Sequence, residues 1–108
     1  MIERLFSSPA LYRTLALFFA YPDEPLNPRL ISRYTGTEMK SVLREIRKLE
    51  EIGVITGRSA GQYRLYLLDR GHPVHEGLRS IFASTKHEWE HVTRSPSVRM
   101  WENRMWEK

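Results

Sequence analysis

Cysteine is absent from the 108 residues, so disulfides, thiolate metal sites and thiol redox chemistry are excluded. Long apolar runs are missing too: the longest, Leu15 to Tyr21, falls far short of the ~20 residues that a bilayer-spanning helix needs. The opening M-I-E-R-L-F-S-S-P lacks the basic-then-apolar layout of a signal peptide. A soluble, cytoplasmic chain with no membrane partner is therefore expected. Acidic charge is the minority sign: 17 Lys and Arg against 13 Asp and Glu leave a formal net charge of +4. That balance permits nucleic acid or an acidic surface as partner. The length suits a single modest core.

What is present is organised around Thr37 to Gly53, T-E-M-K-S-V-L-R-E-I-R-K-L-E-E-I-G. Met39, Val42, Leu43, Ile46, Leu49 and Ile52 fall on one stripe of a helix with ~3.6 residues per turn. The opposite side carries Lys40, Ser41, Arg44, Arg47 and Lys48. Thr37 suits an N-cap, because its hydroxyl can accept an orphaned backbone N–H, and Gly53 suits a stop. One face is built to be buried and the other to meet negative charge, as in a DNA recognition helix.

Upstream, Ser8-Pro9 reads as a cap followed by proline in the first turn, and Leu11, Leu15, Phe18 and Phe19 give the apolar face of a first helix. Arg13 is its one charge, so burial on most sides is expected. Tyr21-Pro22 ends it, and Leu26 reads as a very short strand. Asn27-Pro28 starts a second, short helix with Leu30, Ile31 and Tyr34 inward, which Gly36 closes. Helix, glycine turn and longer basic-faced helix make a helix-turn-helix order. After Gly53 the pattern alternates. Val54 to Thr56 and Tyr63 to Leu68 predict two strands, with Gly57 to Gln62 as a flexible tip carrying Arg58.

The run L-I-S-R-Y-T-G-T-E-M-K-S-V-L-R-E-I-R-K-L-E-E-I-G-V-I-T-G-R, followed by Q-Y-R-L-Y-L-L-D-R-G-H-P-V-H-E-G-L-R, resembles small prokaryotic (archaeal or bacterial) winged-helix transcription regulators of the ArsR/MarR type. The resemblance spans roughly Leu5 to Phe82, and its most specific part is V-L-R-E-I-R-K-L-E-E-I-G-V-I. It implies DNA binding as a homodimer, with the third helix in the major groove and the wing against the minor groove or backbone. Carried over by position, Lys40, Ser41 and Arg44 match base- or phosphate-contacting positions, and Arg58 matches the wing-tip arginine. Glu38 and Glu45 depart from the pattern. The cysteine pairs of the metal-sensing branch are absent, so that chemistry is not implied.

From His72 or Pro73 a helical pattern continues through Val74, Leu78, Ile81, Phe82, Thr85, Trp89 and Val92, on one arc for roughly five turns. So long a stripe exceeds what this core needs, and its outer half is expected to meet a partner subunit. Ser95-Pro96 breaks it. Two tryptophans and two methionines in the last nine residues are too apolar for a free tail. Phe82, Trp89, Val92, Trp101, Met105 and Trp106 are thus the candidate dimerisation residues.

Other motifs carry less. His87-Glu88-Trp89-Glu90-His91 is a literal H-E-x-x-H, the zinc-protease motif. Glu90 is charged where those enzymes carry an uncharged residue, and both histidines face away from the apolar arc, where no cleft forms. A regulatory metal on His72, His75, His87 and His91 is a weaker idea, since imidazoles without geometry specify none. Tyr34, Tyr63 and Tyr66 have core spacing, and nothing else resembles a nucleophile or a phosphate loop.

The expected architecture is mainly α with a small antiparallel β-wing: a winged helix-turn-helix with a long C-terminal dimerisation helix. Residues 1–71 form the DNA-binding part and 72–108 the helical extension. The expected function is sequence-specific duplex DNA binding by a homodimeric regulator, without enzyme activity, cofactor, metal or small-molecule ligand. Arg29, Arg33, Thr37, Lys40, Ser41, Arg44, Lys48, Arg58 and Arg64 are the candidate DNA-binding residues. The alternative is a winged helix that docks an acidic protein through the same basic face; a zinc hydrolase is a distant third.

Overall fold

Two prolines open helices at the position where a missing N–H leaves no bond unmade. A computed structural model of the chain describes residues 2–93. In it, a short 3-10 turn at Ile2–Leu5 precedes α1, Pro9–Ala20. Ser8 Oγ caps α1 by accepting the Leu11 N–H at 3.1 Å. α2, Pro28–Thr35, is capped by Asn27 Oδ1, which accepts the Leu30 N–H at 2.8 Å. Gly36, at φ 67°, supplies the left-handed residue that ends it. α3 spans Met39–Glu51 and turns off through Ile52 and Gly53.

The wing follows as β1, Ile55–Ala60, and β2, Tyr63–Leu68, antiparallel with Ile55 opposite Leu68 and Ala60 opposite Tyr63. Leu26 bridges Tyr66, so β2 lies between β1 and Leu26, the residue before the α2 cap. The wing is longer than the sequence pattern indicates. Residues 57 to 60, expected in the tip, are strand, and only Gly61 and Gln62 form the turn. Gly57 belongs in that strand because the Tyr66 ring lies across it: a Cβ there would stand 2.7 Å from Tyr66 Cε1.

α1 is the central helix. Tyr12, Thr14, Leu15, Ala16, Leu17 and Phe18 are all buried, which explains why it carries so little charge. α2 and α3 pack against it and against each other through Leu30, Ile31, Val42, Ile46 and Leu49.

The C-terminal part departs from the single long helix expected. α4 covers His75–Ser84, the helix breaks at Thr85, α5 covers only Lys86–Trp89, and a 3-10 turn runs through Glu90–Thr93. The break has a local cause. Ser84 Oγ bonds the Ser80 carbonyl at 2.9 Å and Thr85 Oγ1 bonds the Ile81 carbonyl at 2.8 Å, hydroxyls competing for helix acceptors. The chain then folds back, and Trp89 Nε1 donates to the Phe82 carbonyl at 2.8 Å. Phe82 gathers Phe6, Tyr12, Phe19 and Trp89 around it, at centroid distances of 5.6, 5.8, 5.3 and 6.1 Å. Phe82 and Trp89, expected at a dimer contact, therefore lie in this chain's own core, at 0% and 4% exposure, leaving little of either side chain for another subunit to cover. The side chain of Val92, and Trp101, Met105 and Trp106, lie outside the described residues.

Candidate nucleic-acid interface

α3 packs on α1 and α2 through Val42, Ile46 and Leu49, so its opposite side must face solvent. Lys40, Arg44, Arg47 and Lys48 are exposed there, and Ser41 is half-buried. Arg29 and Arg33 are exposed on α2, and Arg58 and Arg64 on the wing. One fold thus presents all of these cations. Arg58 is not at the wing tip, however; it sits mid-strand opposite Leu65.

Thr37 does not join them. Its Oγ1 pairs with Thr35 Oγ1 at 2.9 Å and its carbonyl accepts Ser32 Oγ at 2.6 Å. It is buried in the α2–α3 turn, and Glu38, without a side-chain cap bond, occupies the N-cap position. Thr37 positions the helix from inside, because a hydroxyl in so tight a turn finds nearer partners than the helix N-terminus.

Electrostatics sharpen the face. Residues 29 to 64 carry eight cations (Arg29, Arg33, Lys40, Arg44, Arg47, Lys48, Arg58, Arg64) against four glutamates (38, 45, 50, 51). Two of the glutamates are neutralised internally. Glu45 is 1% exposed beneath the start of α1, where its Oε2 accepts Ser8 Oγ at 3.2 Å beside the positive end of that helix. Lys48 Nζ lies 3.0 Å from its Oε1, an ion pair without hydrogen-bond alignment, and Arg44 Nε lies 3.5 Å from Oε2. Glu50 accepts Arg64 Nη2 at 2.8 Å, which holds that guanidinium's pKa up, while the same group lies 5.6 Å over the Tyr66 ring. Arg29, Arg33, Lys40, Arg47 and Arg58 have no carboxylate partner among the described residues. Arg47 was missing from the candidates read in sequence, although its helical position opposite Val42 and Ile46 marks it.

The apolar stripe of α3 is narrower than its spacing indicates. Met39, Leu43 and Ile52 are 36%, 44% and 62% exposed. Met39 and Leu43 line a cleft of about 490 Å³ that α3 forms with Asn27 and Arg29 on one side and Tyr63 and Arg64 on the other.

The histidines are engaged separately. His72 Nε2 meets the Ile52 carbonyl at 2.8 Å and its Nδ1 accepts the Val74 N–H at 3.0 Å. His75 is buried against Phe19, at a ring distance of 5.5 Å. The H-E-x-x-H run crosses from α5 into the 3-10 turn, so His87 and His91 do not share a regular helix. Glu88, the residue that would activate water in a protease, accepts the Ile2 N–H at 2.8 Å.

No protein-family model matches the chain, and neither does any curated protein. Solved structures do. AF1382 from Archaeoglobus fulgidus superposes with a TM-score of 0.59 at 20% identity, over 79% of this chain and 96% of that one. MepR, a transcription regulator of the Staphylococcus aureus multidrug efflux pump MepA, gives 0.59 at 19% identity, over 96% of this chain and 75% of its own. A possible transcriptional regulator for arsenical resistance gives 0.52 at 19%, over 79% and 82%. At such identities the likeness is one of fold. With its helix-turn-helix, its two-stranded antiparallel wing and these neighbours, the chain has a winged helix-turn-helix fold.

Proposed function

We propose that this protein binds double-stranded DNA through α3 and the wing and acts as a transcription regulator. One observation carries the reading: five cations without carboxylate partners among the described residues spread over α2, α3 and β1, while Glu45 is buried and Glu50 is paired with Arg64. Phosphate neutralisation is the physical use of such clustering. α3, at 13 residues, is about 20 Å long and suits a major groove ~12 Å wide. Lys40, Arg44 and Arg47 face the groove, with Ser41 beside them and Lys48 at the far end. Arg29 and Arg33 reach phosphates next to α2, and Arg58 and Arg64 hold the backbone beside the wing. The solved neighbours described as transcription regulators support the same reading.

The regulator works as a homodimer in this reading, because a two-fold protein reads two half-sites about one helical turn apart. Trp101, Met105 and Trp106 supply the contact; their support is the apolar character of the last nine residues.

The test is binding to a labelled mixed-sequence duplex across a salt series, for the wild type and for Arg47→Ala combined with Arg58→Ala. Each phosphate contact contributes about −0.9 to the slope of log K against log salt. The double variant is expected to bind more weakly, with a slope shallower by about 2 per protomer. A wild type without affinity at low salt refutes the reading and leaves the basic face to dock an acidic protein.

A further inference from the structure

We infer that Met39 and Leu43 form an apolar reading pair for thymine methyl groups in the major groove. The inference rests on the DNA-binding reading above and names what that surface selects. Val42, Ile46 and Leu49 on α3 are each at most 4% exposed, whereas Met39 and Leu43 stay open at 36% and 44%. They stand four positions apart in the N-terminal half of α3, the half that a recognition helix directs at base edges. Cations flank them: Lys40 and Arg44 follow each in sequence, and Arg29 and Arg64 line the same cleft.

That setting selects the occupant. Phosphates drawn in by Arg29, Lys40 and Arg44 bring a duplex against the pair, yet neither side chain can bond a phosphate or a polar base edge. The one apolar group that a base pair presents in the major groove is the C5-methyl of thymine. Covering Met39 and Leu43 with such methyls removes apolar surface from water on both sides, so thymine is favoured over cytosine at the positions they meet.

The test starts with selection of binding sites from a random duplex pool, using the full-length chain. Each thymine of the recovered site is then replaced singly by deoxyuridine, which deletes the methyl and keeps every hydrogen-bonding group. One or two positions per half-site are expected to lose affinity about four-fold. Leu43→Ala and Met39→Ala should weaken binding to the thymine site, abolish its sensitivity to deoxyuridine and leave the salt slope unchanged. Both side chains are exposed, so the variants are expected to fold, and a far-UV spectrum checks this. Deoxyuridine that is silent at every position overturns the inference, as does a deoxyuridine effect that persists in both variants. Salt-dependent binding without any enriched site also overturns it and leaves DNA binding standing, whereas absence of duplex binding overturns both. Leu43→Ala that turns a dimer into a monomer while deoxyuridine is silent makes the patch a subunit contact and overturns the inference.

Discussion

Trp89→Ala is expected to destabilise the protomer itself. Trp89 is 4% exposed, packs edge-on to Phe82 at 6.1 Å and donates Nε1–H to the Phe82 carbonyl at 2.8 Å. A buried indole removes roughly 150–250 Å² from water, about 4–6 kcal/mol at ~25 cal/mol per Å². The hydrogen bond adds about 1 kcal/mol. Partial collapse of the vacated space brings the measured cost to about 3–5 kcal/mol. At about 4–8 °C per kcal/mol for a domain of this length, the melting temperature falls by more than ~12 °C. Trp89→Phe keeps a ring against Phe82 but loses the N–H, and should cost about 1–2 kcal/mol. Urea unfolding followed by far-UV circular dichroism, alongside sedimentation equilibrium, measures both effects. An unchanged unfolding midpoint with weakened self-association would refute the reasoning, because Trp89 would then serve a partner subunit.

Two further substitutions probe the parts that set the proposed DNA-facing surface. Gly57→Ala places a Cβ 2.7 Å from Tyr66 Cε1 and should cost about 1–3 kcal/mol by overpacking; Tyr66→Ala in the same chain should make the added methyl harmless, and a double-mutant cycle in thermal denaturation reads this coupling. Glu45→Leu replaces a carboxylate that is 1% exposed with an apolar group of similar size. Stability should change by less than about 1 kcal/mol and low-salt duplex affinity should rise, because Arg44 and Lys48 lose their carboxylate partner and become available to phosphate; a loss above ~3 kcal/mol in urea unfolding would mean that the carboxylate's contacts to Ser8 and Lys48 are indispensable.

The starts of α1 and α2 were legible because their causes are local. Ser8-Pro9 and Asn27-Pro28 place a capping oxygen directly before a residue that needs no N–H partner, and Gly36 supplies a left-handed turn at φ 67°. Such signals act within one turn of backbone and survive any tertiary context. The wing's length was not legible. Gly57-Arg58-Ser59 has turn composition, and only the Tyr66 ring, brought across from β2, makes a glycine the residue that fits there. The end of α4 misled for a related reason. A 3.6-residue period continues through Thr85, yet the Ser84 and Thr85 hydroxyls and the Trp89 indole take up carbonyls of α4's last turns and fold the chain back.

The basic helix shows most clearly where periodicity stops being informative. A stripe drawn from hydrophobicity alone is centred so as to include Met39 and Leu43 and to leave Glu45 outside. The structure rotates that stripe. The start of α1 stands over one flank, and its positive end with Ser8 accepts a carboxylate, so Glu45 goes in. The other flank opens onto the cleft beside the wing, so Met39 and Leu43 stay out. A sequence pattern fixes how wide a buried face is, whereas its direction depends on which neighbour offers charge and which offers space. The residues that violate the stripe are therefore the informative ones. On the proposed DNA-binding reading, the acid turned inward no longer opposes phosphate, and the two apolar groups turned outward put a base-reading surface where charge alone would give affinity without sequence preference.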